Sequence, residues 1–298
     1  MEIPVHCTLC PRKCGANRQV SHGLCGGGAA IKLARAALHF WEEPCISGTS
    51  GSGTVFFSGC ALQCCYCQNY KISAENFGKE ISVAHLAEIF LRLQKQGAHN
   101  LNLVSASHYL PWVLDALQLA KPALFIPVVY NTGGYETPQA IAALRGVVDI
   151  YLTDLKYFSS DLSQAYSNAA DYFSVASSAA KQMIAQVGAP RFDADGMLQK
   201  GVIIRHLALP GAVDDSKAVL HFMAEELPQQ QFLTSVMSQY TPFYKACEHK
   251  ELRRRISTYE YRKVVNTAVD LGLTNGFMQE KSSAKEEYTP VFDLEGVE

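Results

Sequence analysis

Residues 54–73 read TVFFSGCALQCCYCQNYKIS, and three of their cysteines stand as Cys60-x3-Cys64-x2-Cys67. A four-iron cubane cluster ordinarily takes four thiolate ligands. Three thiolates on one tight loop can hold three of its irons and leave the fourth open to another ligand. Free cysteine also packs as a small hydrophobe. Four cysteines within eight residues of a polar, small-residue loop speak against packing alone. Cys65 is the spare thiol and is expected to point away. The apolar run Val55, Phe56, Phe57 before the loop predicts a strand, so the thiols should gather at a strand's end.

A second group stands as Cys7-x2-Cys10-x3-Cys14-x10-Cys25. Four thiols with turn-forming Pro11, Gly15 and Gly23 between them could close around a metal with little core of their own. Zinc and an iron–sulfur cluster both suit such a donor set. The spacing matches neither paired zinc-ribbon knuckles nor the bacterial ferredoxin run. His6 or His22 could replace a cysteine. A closed structural site and an electron relay both fit, with reactive or packing cysteines as the alternative.

The elements that position these groups belong to a chain of 298 residues, 48% apolar and 18% charged, with formal net charge −2. That composition suits a well-cored globular chain. The charge gives no electrostatic reason to expect nucleic acid or a membrane surface. No run of about 18 apolar residues is present to span a bilayer. The start, MEIPVHCTLC, lacks the basic and apolar regions of a signal peptide. Clustered cysteines in an unexported chain read as metal ligands rather than disulfides, so a cytoplasmic location is expected.

Four regions are expected: a cysteine-rich metal-binding segment over 1–30, a connecting helix and Gly-rich loop over 31–53, a main domain over 54–275 and a tail over 276–298. Apolar spacing at Leu33, Ala34, Ala37, Leu38 and Trp41 predicts the connecting helix over 31–41. The run SGTSGSG over 47–53 lacks the Lys-Ser/Thr ending of a phosphate loop. Strands are predicted over 101–104, 124–130, 147–152, 202–209 and 232–239. Helices are predicted over 83–96, 109–119, 137–144, 171–187 and 215–227. Ser257-x-x-Glu260 is a capping box opening a last helix that stops near Gly272.

About six strand-then-helix units imply a parallel sheet with helices outside. A doubly wound sheet or a barrel satisfies this pattern. In either case ligands bind at the carboxyl ends of the strands. The polar residues expected there are Ser105, Ser107, His108, Asn131, Asp154, Lys156, Arg205 and Gln239. Asp154 and Lys156, two apart on a strand end, share one face and could meet an ammonium and a carboxylate.

The triplet Cys60, Cys64 and Cys67 resembles the radical S-adenosylmethionine superfamily. With the Asp154-Leu155-Lys156 strand end and Arg205 it is similar to the glycyl-radical-enzyme activases. The stretches CTLCPRKCGANR, GTVFFSGC, CQNYKIS, DIYLTDLKY, GVIIRHLALPG and MSQYTP resemble the pyruvate formate-lyase activating enzyme-like branch over nearly the whole chain. The resemblance implies a partial (β/α)6 TIM-type barrel, a [4Fe-4S] cluster on Cys60, Cys64 and Cys67, and S-adenosylmethionine as cosubstrate. It implies reductive cleavage to a 5′-deoxyadenosyl radical and hydrogen abstraction by an oxidoreductase of activase type. The partners would be an electron donor such as a flavodoxin or ferredoxin and a protein or small-molecule substrate. Asn131, Asp154, Lys156, Arg205 and Gln239 would help bind the cosubstrate. One departure stands out. The activases carry Gly-Gly-Glu after the second strand, where this chain has Ser105-Ala106-Ser107-His108. Ser105, Ser107 or His108 would have to substitute. Radical modification of RNA or a small molecule is an alternative activity. A non-catalytic iron–sulfur carrier or scaffold is an alternative of another class.

Overall fold

The computed structural model describes residues 3–279 and 289–298. Residues 1–2 of the expected N-terminal segment and 280–288 of the expected tail lie outside the described residues. Ten strands occur among the described residues: β1 Ile31–His39, β2 Ser52–Phe57, β3 Lys79–Ile81, β4 Leu101–Val104, β5 Val128–Thr132, β6 Ile150–Asp154, β7 Arg191–Phe192, β8 Leu198–Leu207, β9 Leu233–Met237 and β10 Gly276–Met278. Their order is β10-β9-β8-β6-β5-β4-β2-β1-β3, with β7 paired to β8 alone. From β2 to β10 every pairing along this path is parallel. β1 joins β2, and β3 joins β1, antiparallel.

Helices Val83–Lys95, Leu110–Ala120, Pro138–Ala143, Tyr172–Val187, Val213–Glu226 and Thr258–Asp270 follow the successive parallel strands. Ser82 caps the first through the His85 amide, Thr137 caps the third with Pro138 in its first turn, and the Ser257–Glu260 box closes on both sides. The chain is thus α/β with a mostly parallel sheet, consistent with a partial TIM-type barrel. Side chains alternate across the sheet as a two-residue period requires. Tyr151, Val202 and Ile204 pack in the layer under the helices, whereas Ile150, Leu152 and Ile203 belong to a separate inner cluster.

The predicted helix over 31–41 is instead strand β1. Its Leu, Ala, Arg and Lys residues favour helix locally, but the open edge of β2 offers a ladder from Leu33↔Phe57 to His39↔Ser52. Ile31, Leu33, Ala34 and Ala36 are buried by it. Residues after β1 then turn into the barrel. The short helix Pro44–Ser47 inserts Cys45 and Ile46 among Val129, Ile150, Leu152, Leu198, Ile203 and Leu233. This connection plugs the barrel floor.

The sheet also runs further than the periodicity indicated. Strand β10, within the expected tail, adds a seventh parallel strand beside β9. Residues 289–298 return along β1: the Ala36 amide donates to Glu295 O (2.9 Å) and the Leu294 amide to Ala34 O (3.1 Å). Arg35 pairs with Asp293 and Glu295, and Val297 is buried.

Candidate functional site

The loop after β2 turns sharply at Gly59, whose φ of +89° lies in the left-handed region that glycine enters without a Cβ clash. Its ends are tied down. The Gly59 amide donates to Ile72 O (2.7 Å) and the Cys60 amide to Cys25 O (3.0 Å). His108 Nε2 donates to Ser58 O at 2.8 Å. The Cys60, Cys64 and Cys67 thiols lie close enough to act on one another's charge. Cys65 feels the charge of Cys64, Glu248 and Glu251, and its amide donates to Tyr166 O (2.8 Å). The Leu62 amide reaches Cys60 Sγ (3.4 Å), Ser167 Oγ reaches Cys64 Sγ (3.0 Å) and Ser73 Oγ reaches Cys67 Sγ (3.3 Å). Such donors stabilise anionic sulfur and tune a cluster's potential. Burial pushes Cys67 up to about 12 and raises Cys60, so iron would have to displace protons on binding.

Among the described residues, no three His, Cys, Asp or Glu side chains have an arrangement suited to one metal ion. A cubane cluster does not ask for that, because each thiolate binds a different iron. The three-thiol loop with its sulfur-directed donors fits the cluster that the resemblance implies.

Beside Cys64 and Cys67 a cavity opens at the carboxyl ends of the strands, lined by Asn131, Asp154, Lys156, Arg205 and Gln239. Four of these are joined to one another. Arg205 Nε donates to Asp154 Oδ1 (2.8 Å), its Nη2 to Asn131 Oδ1 (2.8 Å), and Lys156 pairs with the other Asp154 oxygen. Burial alone would raise Asp154, but Arg205 and Lys156 outweigh it and hold the carboxyl below its ordinary value. Burial would likewise lower Lys156, and Asp154 reverses this. The strand end presents fixed charges rather than free ones.

Ser105, Ser107 and His108 do not reach this cavity. They line a small crevice on the Cys60 side of the loop, with Thr132, Gly133, Tyr135 and Glu136. His108 is committed to holding Ser58. This crevice also holds a carboxyl group, Glu136, which accepts from Ser107 Oγ and Thr132 Oγ1 and is almost wholly buried. Burial pushes it up to about 7, and among the described residues its Oε2 makes no hydrogen bond of good geometry. Nothing in the local sequence TPQ after Glu136 marks it. Only the adjacency of β4 and β5 brings it to Ser107.

Two further carboxylates were hidden in the sequence as the end of a supposed helix. Glu42 accepts from Arg205 Nη1 (3.2 Å), Asn131 Nδ2 (3.1 Å) and Asn102 Nδ2 (3.3 Å). Burial raises it, with Arg205 opposing. Glu43 is 8% exposed and raised mainly by burial. Both sit above the apolar plug of Cys45 and Ile46.

The N-terminal cysteines pack against the back of the loop. The Cys14 and Cys25 sulfurs both lie against Gly23, whose absent side chain would meet them at 3.5 and 3.3 Å. Cys7 and Cys14 lie near enough to interact, and Cys10 and Cys25 feel each other's charge. The unit is clamped to the barrel. Arg12 Nε donates to Ala61 O (2.8 Å) and Gln63 Nε2 to Leu24 O (2.9 Å). The buried Arg18 donates to Gly28 O (2.9 Å) and His108 O and lies over the Tyr109 and Trp112 rings.

Comparison with known proteins follows this geometry. A model described as the Radical SAM superfamily matches residues 54–182. An uncharacterized protein of Methanocaldococcus jannaschii is 30% identical over 277 residues, spanning 88% of this chain and 74% of its own length. Among solved structures, methylornithine synthase shares 13% identity over 74% of this chain and 68% of that one, with a TM-score of 0.50. A domain of pyruvate-formate lyase-activating enzyme from Bacteroides vulgatus shares 13% identity over 58% and 92%, with a TM-score of 0.40. The likeness to methylornithine synthase speaks for the fold alone.

Proposed function

The chain belongs to the radical S-adenosylmethionine superfamily, and from that premise we propose that it reductively cleaves S-adenosylmethionine and abstracts hydrogen from a substrate carbon. Family membership makes it an enzyme of iron–sulfur and S-adenosylmethionine chemistry. Cys60, Cys64 and Cys67 would hold the cluster. When bound there and reduced, the cluster would supply the one electron needed to break the sulfonium carbon–sulfur bond, with methionine and a 5′-deoxyadenosyl radical as the products. One electron enters per cleavage, so a one-electron donor such as a flavodoxin or ferredoxin is a required partner.

The observation that carries this reading is the placement of Cys64 and Cys67 on the wall of the cavity that holds Asn131, Asp154, Lys156, Arg205 and Gln239. Lys156 can meet a carboxylate and Asp154 an ammonium, each already oriented by its neighbour. The barrel wall shelters a reactive intermediate from solvent. A carrier or scaffold needs no such cavity, and a net charge of −2 gives no footing for RNA. In the activase form of this reading the substrate is a protein glycine, and the enzyme works in the cytoplasm. On the Cys60 side, Ser105, Ser107 and His108 bracket the approach to the same loop.

We also propose that Cys7, Cys10, Cys14 and Cys25 hold a second iron–sulfur cluster, which like the first needs no single-ion arrangement, and that it braces the main loop from behind; zinc, the other expectation, would need the thiols gathered around one ion. Anaerobically reconstituted protein given dithionite and S-adenosylmethionine should release 5′-deoxyadenosine. An intact, reduced cluster without that product refutes the catalytic reading.

A further inference from the structure

A second crevice of about 230 Å³ opens next to the main cavity, between the β1–β2 connection and strands β8 to β10. It is lined by Glu42, Glu43, Arg205, Ser235, Gln239 and Gln279, among others. Trp41, Glu42, Arg205, Met237 and Gln239 border both spaces, so the two are neighbours along one shared wall. A molecule in the crevice lies beside the cavity that carries Cys64 and Cys67.

The crevice ends on two buried polar groups. Glu43 is 8% exposed and Ser235 1%. The Ser235 hydroxyl lies close enough to Glu43 to lower its carboxyl pKa, yet among the described residues neither Glu43 Oε2 nor Ser235 Oγ makes a hydrogen bond of good geometry. Buried polar atoms in folded proteins are overwhelmingly satisfied, and exceptions tend to mark function. The charges around them do not balance. Glu42, Glu43 and Asp154 face Arg205 and Lys156. Lys156 is paired with Asp154, and Arg205 is bonded to Asp154, Glu42 and Asn131. Arg205 is the cation that acts on Glu43, but its bonded partners lie elsewhere. Burial raises Glu42 and Glu43, so the crevice by itself favours a proton on one of them, and ionising all three carboxyls leaves one negative charge for a bound cation to meet.

We infer that this crevice binds an ammonium or guanidinium group of the substrate, with Glu43 Oε2 and Ser235 Oγ as acceptors. The site supplies what such a group requires, a carboxylate and a hydroxyl, with Gln239 and Gln279 at the rim. Its position rests on the radical reading above, because it fixes one end of the substrate while the other faces the cluster loop. A neutral group would leave the carboxylate unpaired in a site shielded from water, where a charge is costly. Discrimination between cation and neutral isostere should therefore be large.

The experiment is calorimetric titration of reconstituted protein, with S-adenosylmethionine present and no reductant, using butylammonium, butylguanidinium and neutral butyramide. At least one cation should bind saturably, and about tenfold or more tighter than butyramide, a difference of about 1.4 kcal/mol. Glu43→Gln should remove this preference, Ser235→Ala should weaken it, and Glu43→Asp should keep it in part. Urea denaturation of each variant checks that it is folded. Cations no tighter than butyramide, or a preference that survives Glu43→Gln in folded protein, overturn the assignment. The first result would mark Glu43 as a carboxyl that keeps its proton, and the second would place cation recognition on other residues. Binding is read without turnover, so failure of the wild-type cleavage assay leaves this result standing, and the reverse also holds.

Discussion

The amide of Cys60 donates to the carbonyl of Cys25 at 3.0 Å, which makes the N-terminal cysteine unit the back wall of the cluster loop. The two thiol groups, some fifty residues apart at their centres, therefore share one structural element. Damage to either should be felt at the other.

Gly59 sets this contact. A Cβ there would overlap the Cys25 carbonyl oxygen and crowd His108 Nε2 at 3.0 Å, on a backbone with φ of +89°. Left-handed strain alone costs about 1–2 kcal/mol, and the overlap adds to it. Gly59→Ala should lose at least about 2 kcal/mol in urea unfolding and take up less iron during reconstitution. Unchanged stability with full iron loading would show that the loop does not need this approach.

Replacing Cys10 and Cys14 together by Ala should abolish the second metal. The loss in metal affinity should exceed the roughly 10–100-fold typical of outer-shell changes. Because Cys25 backs Cys60, the absorbance of the main cluster should fall as well. Metal analysis and visible spectra on the same samples read both effects. A variant with wild-type metal content would remove these two thiols from any site.

Arg205 holds Asp154, Glu42 and Asn131 together. Breaking a buried ion pair by removing one partner typically costs about 3–5 kcal/mol, because a charge is left uncompensated. Arg205→Met should be destabilised on that scale. Adding Asp154→Asn and Glu42→Gln should recover part of the loss, a coupling that reads as non-additivity. Strict additivity in urea unfolding would mean that the three groups act independently.

His206 links the Asp154–Lys156 strand end to β8, its Nδ1 donating to Leu155 O at 2.7 Å. Burial holds its pKa below the ordinary 6.5. Between the depressed folded value and 6.5 the unfolded chain binds a proton that the folded chain does not. Stability therefore rises with pH through that window and is lost as the solution is acidified below about 6.5. His206→Asn keeps a donor near the Nδ1 position and removes the titration. Its unfolding free energy should depend less on pH between about 5 and 7 than the wild type does. Parallel pH profiles would exclude His206 as a source of acid sensitivity.

Local pattern made much of this legible. The Cys60-x3-Cys64-x2-Cys67 spacing, the alternation of apolar runs with helical faces, and the caps at Ser82, Thr137 and Ser257 each depend on residues a few positions apart. Such short-range chemistry is written directly in the chain, and the parallel sheet and cluster loop follow from it. The tertiary structure decided whatever depends on distant segments meeting. Helix-prone residues 31–39 became β1 because the β2 edge was open. Glu42 and Glu43, which read as a helix end, became the polar layer of the barrel because Cys45 and Ile46 fill its floor. Ser105, Ser107 and His108 were drawn to the Cys60 side, and Glu136 joined them, because β4 and β5 are neighbours. A carboxylate has no periodicity of its own, so its partner is fixed only when long-range packing closes around it.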